Sequence, residues 1–153
     1  MFSKSTEYAL RAVLFIAKHG SPENKLGIAA ISEAIDSPRS FTAKILQKLT
    51  RDNALISSVT GPNGGFYLTA DAKKSSMMKI LELLEEDKVI TKCVLGLQEC
   101  SEVNPCPMHH QYKHIKPQLV DLFENKTIND LLTELDNTSI TLNNKLSIRR
   151  KKD

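Results

Sequence analysis

"ISEAIDSPRSFTAKILQKLTRDNALISSVTGPNGGFYL", residues 31–68, decides the fold. Its first half carries apolar residues at helical spacing, broken by a tight turn at Asp36 and Ser37. Ser37 is expected to cap the next helix, with Pro38 at its first position, where the missing N–H costs nothing. Phe41, Ile45, Leu46 and Leu49 then fall on one face. The period changes at residues 55–60 and 66–69, which are β-branched and aromatic and bracket "GPNGG", a hairpin signal.

Upstream, residues 3–19 alternate apolar and charged positions as a helix does, with Ser3 or Ser5 to start it and Gly20 and Pro22 to stop it. A shorter helix is expected near residues 27–35. Helix, helix, turn, helix and two-stranded hairpin within 70 residues is the order of a winged helix-turn-helix. The predicted fold is mainly α with a two-stranded β wing. Downstream, residues 75–87 read as a further helix. A long helix begins near Pro107, and Thr127 is placed to cap a short final one. The expected organisation is a DNA-binding unit over residues 1–74, a linker helix, ligand loop and dimerisation helices over 75–136, and a polar tail over 137–153. The tail ends in a basic cluster and is expected to be mobile.

At 153 residues and 41% hydrophobic, the chain can bury a core without a disulfide or metal staple. A net charge of +3 does not alone imply a polyanionic partner, so local placement must. Arg39, Lys44, Lys48 and Arg51 lie in a stretch free of acids. Lys44, Lys48 and Arg51, spaced four and three apart, oppose the apolar row, which suits a helix seated in the major groove of double-stranded DNA. Arg39, Ser40 and Thr42 occupy the first turns, where base edges are read, and the lysines further along would meet phosphate. Thr60, Asn63 and Gly64 belong to the wing tip, where Gly61, Gly64 and Gly65 allow close backbone approach.

All three cysteines and two of the four histidines lie in "CVLGLQECSEVNPCPMHH", residues 93–110. Cys93, Cys100 and Cys106 are separated by six and five residues, wider than the usual spacing of structural zinc pairs. An irregular loop carrying three thiolates suits an iron–sulfur cluster better. No secretory leader or apolar run of membrane-spanning length is read here, so a reducing cytoplasm is expected. There is no phosphate loop, nucleophile elbow or catalytic triad, and an enzyme is not expected.

The 31–68 stretch, with the three-cysteine segment and long helix after it, resembles the bacterial IscR/NsrR-type family of winged helix-turn-helix repressors that sense through an iron–sulfur cluster. The resemblance covers about residues 1–135. It implies a homodimer joined by the helix carrying Ile115, Leu119, Leu122 and Phe123. In the IscR-like branch, a histidine separated from the third cysteine by two residues completes a 2Fe–2S site, and His109 matches it. In the NsrR-like branch, an acidic side chain from the partner subunit's first helix completes a 4Fe–4S site, and Glu7 matches that position. The 2Fe–2S set with His109 is favoured, and His110 and His114 are expected at the surface or as outer partners of the ligands. Ala43, where some IscR-like members carry an acid, points to a narrower operator choice. Two alternatives stay open: the same DNA-binding fold switched by its thiols or a partner without a cluster, and a zinc-stapled protein-interaction module.

Overall fold

The computed structural model of the protein describes residues 1–143. Helix α1, Lys4–His19, starts where Ser3 Oγ accepts the Thr6 N–H, and ends as the Gly20 N–H reaches Ile16 O. Its stripe of Ala9, Ala12, Val13, Ile16 and Ala17 is buried and forms the centre of the main core. Helices α2, Ile28–Ala34, and α3, Arg39–Leu49, pack on it and on each other. The turn between them passes through Asp36 at φ 52°, the left-handed region open to an Asp.

The start of α3 differs from expectation by one residue. Pro38, at φ −56° and ψ 137°, is itself the cap position, and Arg39 is the first helical residue. Ser37 does not cap the helix. Its hydroxyl donates to Pro38 O at 3.3 Å and accepts from Thr42 Oγ1 at 3.1 Å. This pair fixes the turn from inside rather than closing the helix end.

The wing is shorter than the sequence implies. Strands β1, Ser57–Val59, and β2, Gly65–Tyr67, pair antiparallel with Ser57 opposite Tyr67 and Val59 opposite Gly65. Residues 60–64 form the tip. Leu26 and Phe66 exchange backbone hydrogen bonds of 2.9 and 2.8 Å, which ties the hairpin to the helical body. Gly64 is required by packing: a Cβ there would lie 2.2 Å from Val59 O.

The helix expected over residues 75–87 is shorter, and a separate one follows it. Helix α4, Met77–Leu83, stops and α5, Lys88–Thr91, follows, with Glu85 at φ 61° between them. No glycine marks the break. Helix α6, His109–Asn125, and α7, Ile128–Asp136, complete the described chain. Met77, Ile80, Leu84 and Ile128 share the main core with α1–α3. A second, smaller core joins Met78, Leu81 and Ile90 to Phe2, Leu119 and Phe123. Of the terminal segment, Leu142 O accepts from Arg11 Nη1 at 3.3 Å, so its described part lies against α1. The basic cluster at 149–152 lies outside the described residues. None of the described helices is long and apolar enough to cross a membrane.

Thr127 caps α7 as expected, in a reciprocal box. Its hydroxyl accepts the Asp130 N–H at 3.1 Å, and Asp130 Oδ2 accepts the Thr127 N–H at 2.9 Å. Thr127→Ala is expected to lower stability by about 1 kcal/mol in chemical denaturation. The Thr127 backbone N–H, and then its hydroxyl, hold the Asp130 carboxyl below its ordinary range. The contribution is therefore complete above the ordinary carboxylate range and fades as pH falls through the lowered value. Asp130→Asn should remove that part of the acid-side stability slope, and an unchanged slope would contradict the box.

Candidate metal centre and nucleic-acid interface

Residues 92–108 contain neither helix nor strand, and their path is set at both ends. Cys93 follows α5 closely, while Cys106 and His109 stand at the entry to α6. Gly96, at φ 71°, turns the chain so that its N–H bonds Cys93 O at 2.9 Å. Further on, the His109 N–H bonds Cys106 O at 3.0 Å. These turns bring the Cys93, Cys100 and Cys106 sulfurs within 4.8 Å of one another, with Cys93 and Cys106 at 3.7 Å. His109 Nδ1 lies 3.2 Å from Cys100 Sγ, and the three cysteines, His109, Tyr112 and Lys113 line one pocket of about 50 Å³. Sequence reasoning proposed these four ligands, and the fold brings them together.

The thiols are not equivalent. Backbone N–H groups of Leu97 and, less strongly, Leu95 face the Cys93 sulfur and bring its pKa down to about 7, against the opposing effect of burial. At Cys100 the Cys106 N–H, 3.5 Å from the sulfur, also favours thiolate. Burial and the two neighbouring thiols outweigh it, and the net shift is upward. Crowding three thiols thus makes it costly to ionise all of them without a cation to share, which is the environment of a soft-metal ligand set.

Glu102 is the site residue that sequence reasoning missed. Its Oε1 lies 3.1 Å from His109 Nε2, and Lys113 Nζ lies 3.2 Å from Oε2. The His109 hydrogen bond, and then Lys113, hold its carboxyl below the ordinary value. The only sequence cue is an acid between two cysteines, since an irregular loop has no period to link residues 102 and 109. His110 and His114 are exposed. Glu7 is exposed on α1 and pairs with Lys4 at 3.5 Å. Within one chain it does not belong to the three-thiol group.

Arg39, Ser40, Lys44 and Lys48 are exposed along α3, and Thr60 and Asn63 at the wing tip, with Gly64 partly covered. Arg39, Lys44 and Lys48 form no ion pair among the described residues. Arg51 lies beyond α3, in a 3-10 turn over Arg51–Asn53. Two expectations for α3 are corrected. Thr42 is fully buried, its hydroxyl engaged by Ser37 Oγ and Pro38 O, and it cannot read a base. Phe41, expected in the apolar row, is 46% exposed and meets Tyr8 edge-on, with ring centroids 6.3 Å apart. The buried row is Thr42, Ile45, Leu46 and Leu49, and Phe41 and Gln47 join the outward face.

The roles expected of Arg39 and Lys48 separate experimentally. Arg39→Ala should blur discrimination between operator variants, by about 1–3 kcal/mol at the base it contacts. Lys48→Ala should weaken all DNA alike and reduce the salt slope by about one per contact. Thr42→Ala should lower stability by about 1–2 kcal/mol while leaving sequence preference unchanged. Identical binding profiles for the Arg39 and Lys48 variants would refute this division.

A helix-turn-helix with an exposed cationic second helix and a tied β wing, beside a three-thiol, one-imidazole donor set, defines a winged-helix DNA-binding regulator with a site able to hold a metal or cluster. Residues 2–134 match the model of the Rrf2 family, described as an iron-dependent transcriptional regulator. The chain is 33% identical over 134 residues to a protein of Aquifex aeolicus described as an HTH-type transcriptional regulator, covering 86% of this chain and 91% of that one. It is 32% identical over 127 residues to the transcriptional regulator IscR of Vibrio parahaemolyticus, covering 83% and 74%. CymR, the global cysteine regulator of B. subtilis, has the same fold at a TM-score of 0.68 and 18% identity, covering 88% and 97%. T. potens IscR has it also, at 0.68 and 18%, covering 92% of each chain. The chain belongs to the Rrf2 family of DNA-binding transcriptional regulators, which are not enzymes.

Proposed function

We propose that this protein is a homodimeric repressor in the cytoplasm whose affinity for a DNA operator is set by an iron–sulfur cluster on Cys93, Cys100, Cys106 and His109. The observation that carries the reading is the donor set: three sulfurs within 4.8 Å and an imidazole nitrogen 3.2 Å from one of them. Three soft thiolates and one nitrogen suit a 2Fe–2S cluster. Glu7 of the partner subunit, with a 4Fe–4S cluster, is the alternative fourth ligand. When bound, the cluster supplies a centre responsive to nitric oxide, redox state or cluster supply.

The chain's own residues give the route to DNA. Ordering residues 93–109 fixes α5 and the start of α6. Ile90 of α5 and Phe123 of α6 meet Phe2 in the smaller core, with the Phe2 and Phe123 rings 5.4 Å apart. Ser3 Oγ donates to Glu86 Oε1 at 3.1 Å beside them. Phe2 leads directly into α1, whose Tyr8 touches Phe41 of α3. Dimer contacts along α6, through Ile115 and Leu122, would then set the spacing of two α3 helices on successive half-sites. That spacing is strict, so a small rotation changes affinity greatly. Arg39 and Ser40 read bases, Lys44 and Lys48 hold phosphate, and Thr60, Asn63 and Gly64 carry the wing to the neighbouring groove.

The test is anaerobic purification with iron and sulfide quantitation, absorbance and paramagnetic resonance, on wild type, His109→Ala and Glu7→Ala. Spectra altered only by His109→Ala support the local fourth ligand; spectra altered by Glu7→Ala favour the cross-subunit one. A wild type that stays colourless after reconstitution rejects the cluster. A thiol switch without iron is then the second reading, favoured by the 3.7 Å approach of Cys93 to Cys106.

A further inference from the structure

His109 could offer either ring nitrogen to the thiols, and the structure constrains the choice from the far side of the ring. Nε2 faces Glu102 Oε1 at 3.1 Å while Nδ1 faces Cys100 Sγ at 3.2 Å. The carboxylate is itself gripped by Lys113, at 3.2 Å on Oε2, one turn further along α6 from His109. A carboxylate facing Nε2 favours the proton on that nitrogen and leaves the Nδ1 lone pair directed at the sulfurs. As an ion pair alone this contact would be nearly idle, since Glu102 is 66% exposed and surface pairs contribute little to stability.

We infer that Glu102 is a positioning residue for the centre: it selects the Nε2–H tautomer of His109 and aims Nδ1 at the three thiols, with Lys113 holding the carboxylate in place. The inference rests on the reading of His109 as fourth ligand. Its effect reaches the centre only through the imidazole, and this separates it from a residue that merely shapes the loop.

The experiment uses full-length protein reconstituted anaerobically with iron and sulfide, with histidine labelled by ¹⁵N at Nδ1. Pulsed paramagnetic resonance of the reduced protein reads which nitrogen is bound. Redox titration and the rate of iron loss to a chelator complete the comparison. In wild type the coupling should come from Nδ1. Glu102→Ala should lose iron about 10–100-fold faster. Its reduction potential should rise, because the ring no longer receives electron density from a carboxylate. Glu102→Gln, whose amide oxygen still accepts the Nε2–H, should keep Nδ1 coordination and lose iron more slowly than the alanine variant; it carries the comparison if the alanine variant retains no iron. In a His109→Cys background, Glu102→Ala should change neither the loss rate nor the potential.

An equal acceleration in that background would assign Glu102 a structural role and overturn the inference. So would wild-type coupling through Nε2, or an Ala variant with unchanged potential. A wild-type centre with no nitrogen coupling would reject His109 as ligand and the inference with it. That failure shows in the wild type before any variant is made, so it is distinct from failure at Glu102.

Discussion

Cys106→Ser is expected to reduce iron and sulfide in anaerobically purified protein to background. Cys106 is the buried member of the thiol group, 8% exposed. It is also the residue that links the others, since its sulfur meets Cys93 and its backbone N–H meets the Cys100 sulfur. A serine hydroxyl is smaller and harder, and it does not ionise at neutral pH, so it replaces neither the charge nor the softness of the thiolate. Loss of an outer partner of a metal ligand already costs about 10–100-fold in affinity, and loss of the ligand itself should exceed that. The fold should persist, because Cys106 belongs to neither apolar core. Circular dichroism close to wild type with no iron is the expected pair of results. Iron retained at the wild-type level would show that the centre is built from other residues.

The second large effect concerns α6. None of its residues is buried in the protomer, and Ile115 and Leu122 are 52% and 51% exposed. Leu119 and Phe123, expected with them in one dimer row, instead pack on the smaller core. The row therefore splits, with two members facing inward and two facing outward, where the proposed dimer contact would lie. Paired Ile115→Asp and Leu122→Asp substitutions place charge only on the outward pair. An unpartnered carboxylate in an apolar contact costs several kcal/mol. The variant should run as a folded monomer in sedimentation at micromolar concentration, and its affinity for a two-half-site operator should fall at least about 100-fold as the second half-site is lost. A variant that remains dimeric would place the dimer contact elsewhere.

What the sequence conveyed depended on whether a local pattern carried the information. The stripe on α1, the glycine-rich wing tip and the Thr127 cap each follow from residues close together in the chain, and each was legible. In α3 the period was right and Ile45, Leu46 and Leu49 face inward as expected; only the first member of the row was misplaced, Phe41 standing where Thr42 belongs. Thr42 is three positions before Ile45 and seven before Leu49, which is the inward phase. Its hydroxyl tolerates burial only because Ser37 and Pro38 satisfy it. Phe41 was placed inward by its chemistry, although its angle on the helix faces outward. The break between α4 and α5 rests on a glutamate in the left-handed region, which no turn residue announces. Glu102 lies in an irregular loop, where only three-dimensional approach defines a partner.

Helix α1 has a consequence for how the protein is handled at the bench. Its 16 residues span about 24 Å. Phe2, just ahead of it, packs at one end against Phe123 of α6 and the smaller core that holds Ile90 of α5, and Tyr8 touches α3. An affinity tag fused before Met1 would therefore be anchored two residues from the joint between ligand loop and DNA-binding unit. Protein tagged there would report the behaviour of an altered joint, even with every ligand and every DNA contact intact. Fusion at the opposite terminus keeps that joint native and is the arrangement we recommend for operator-binding assays.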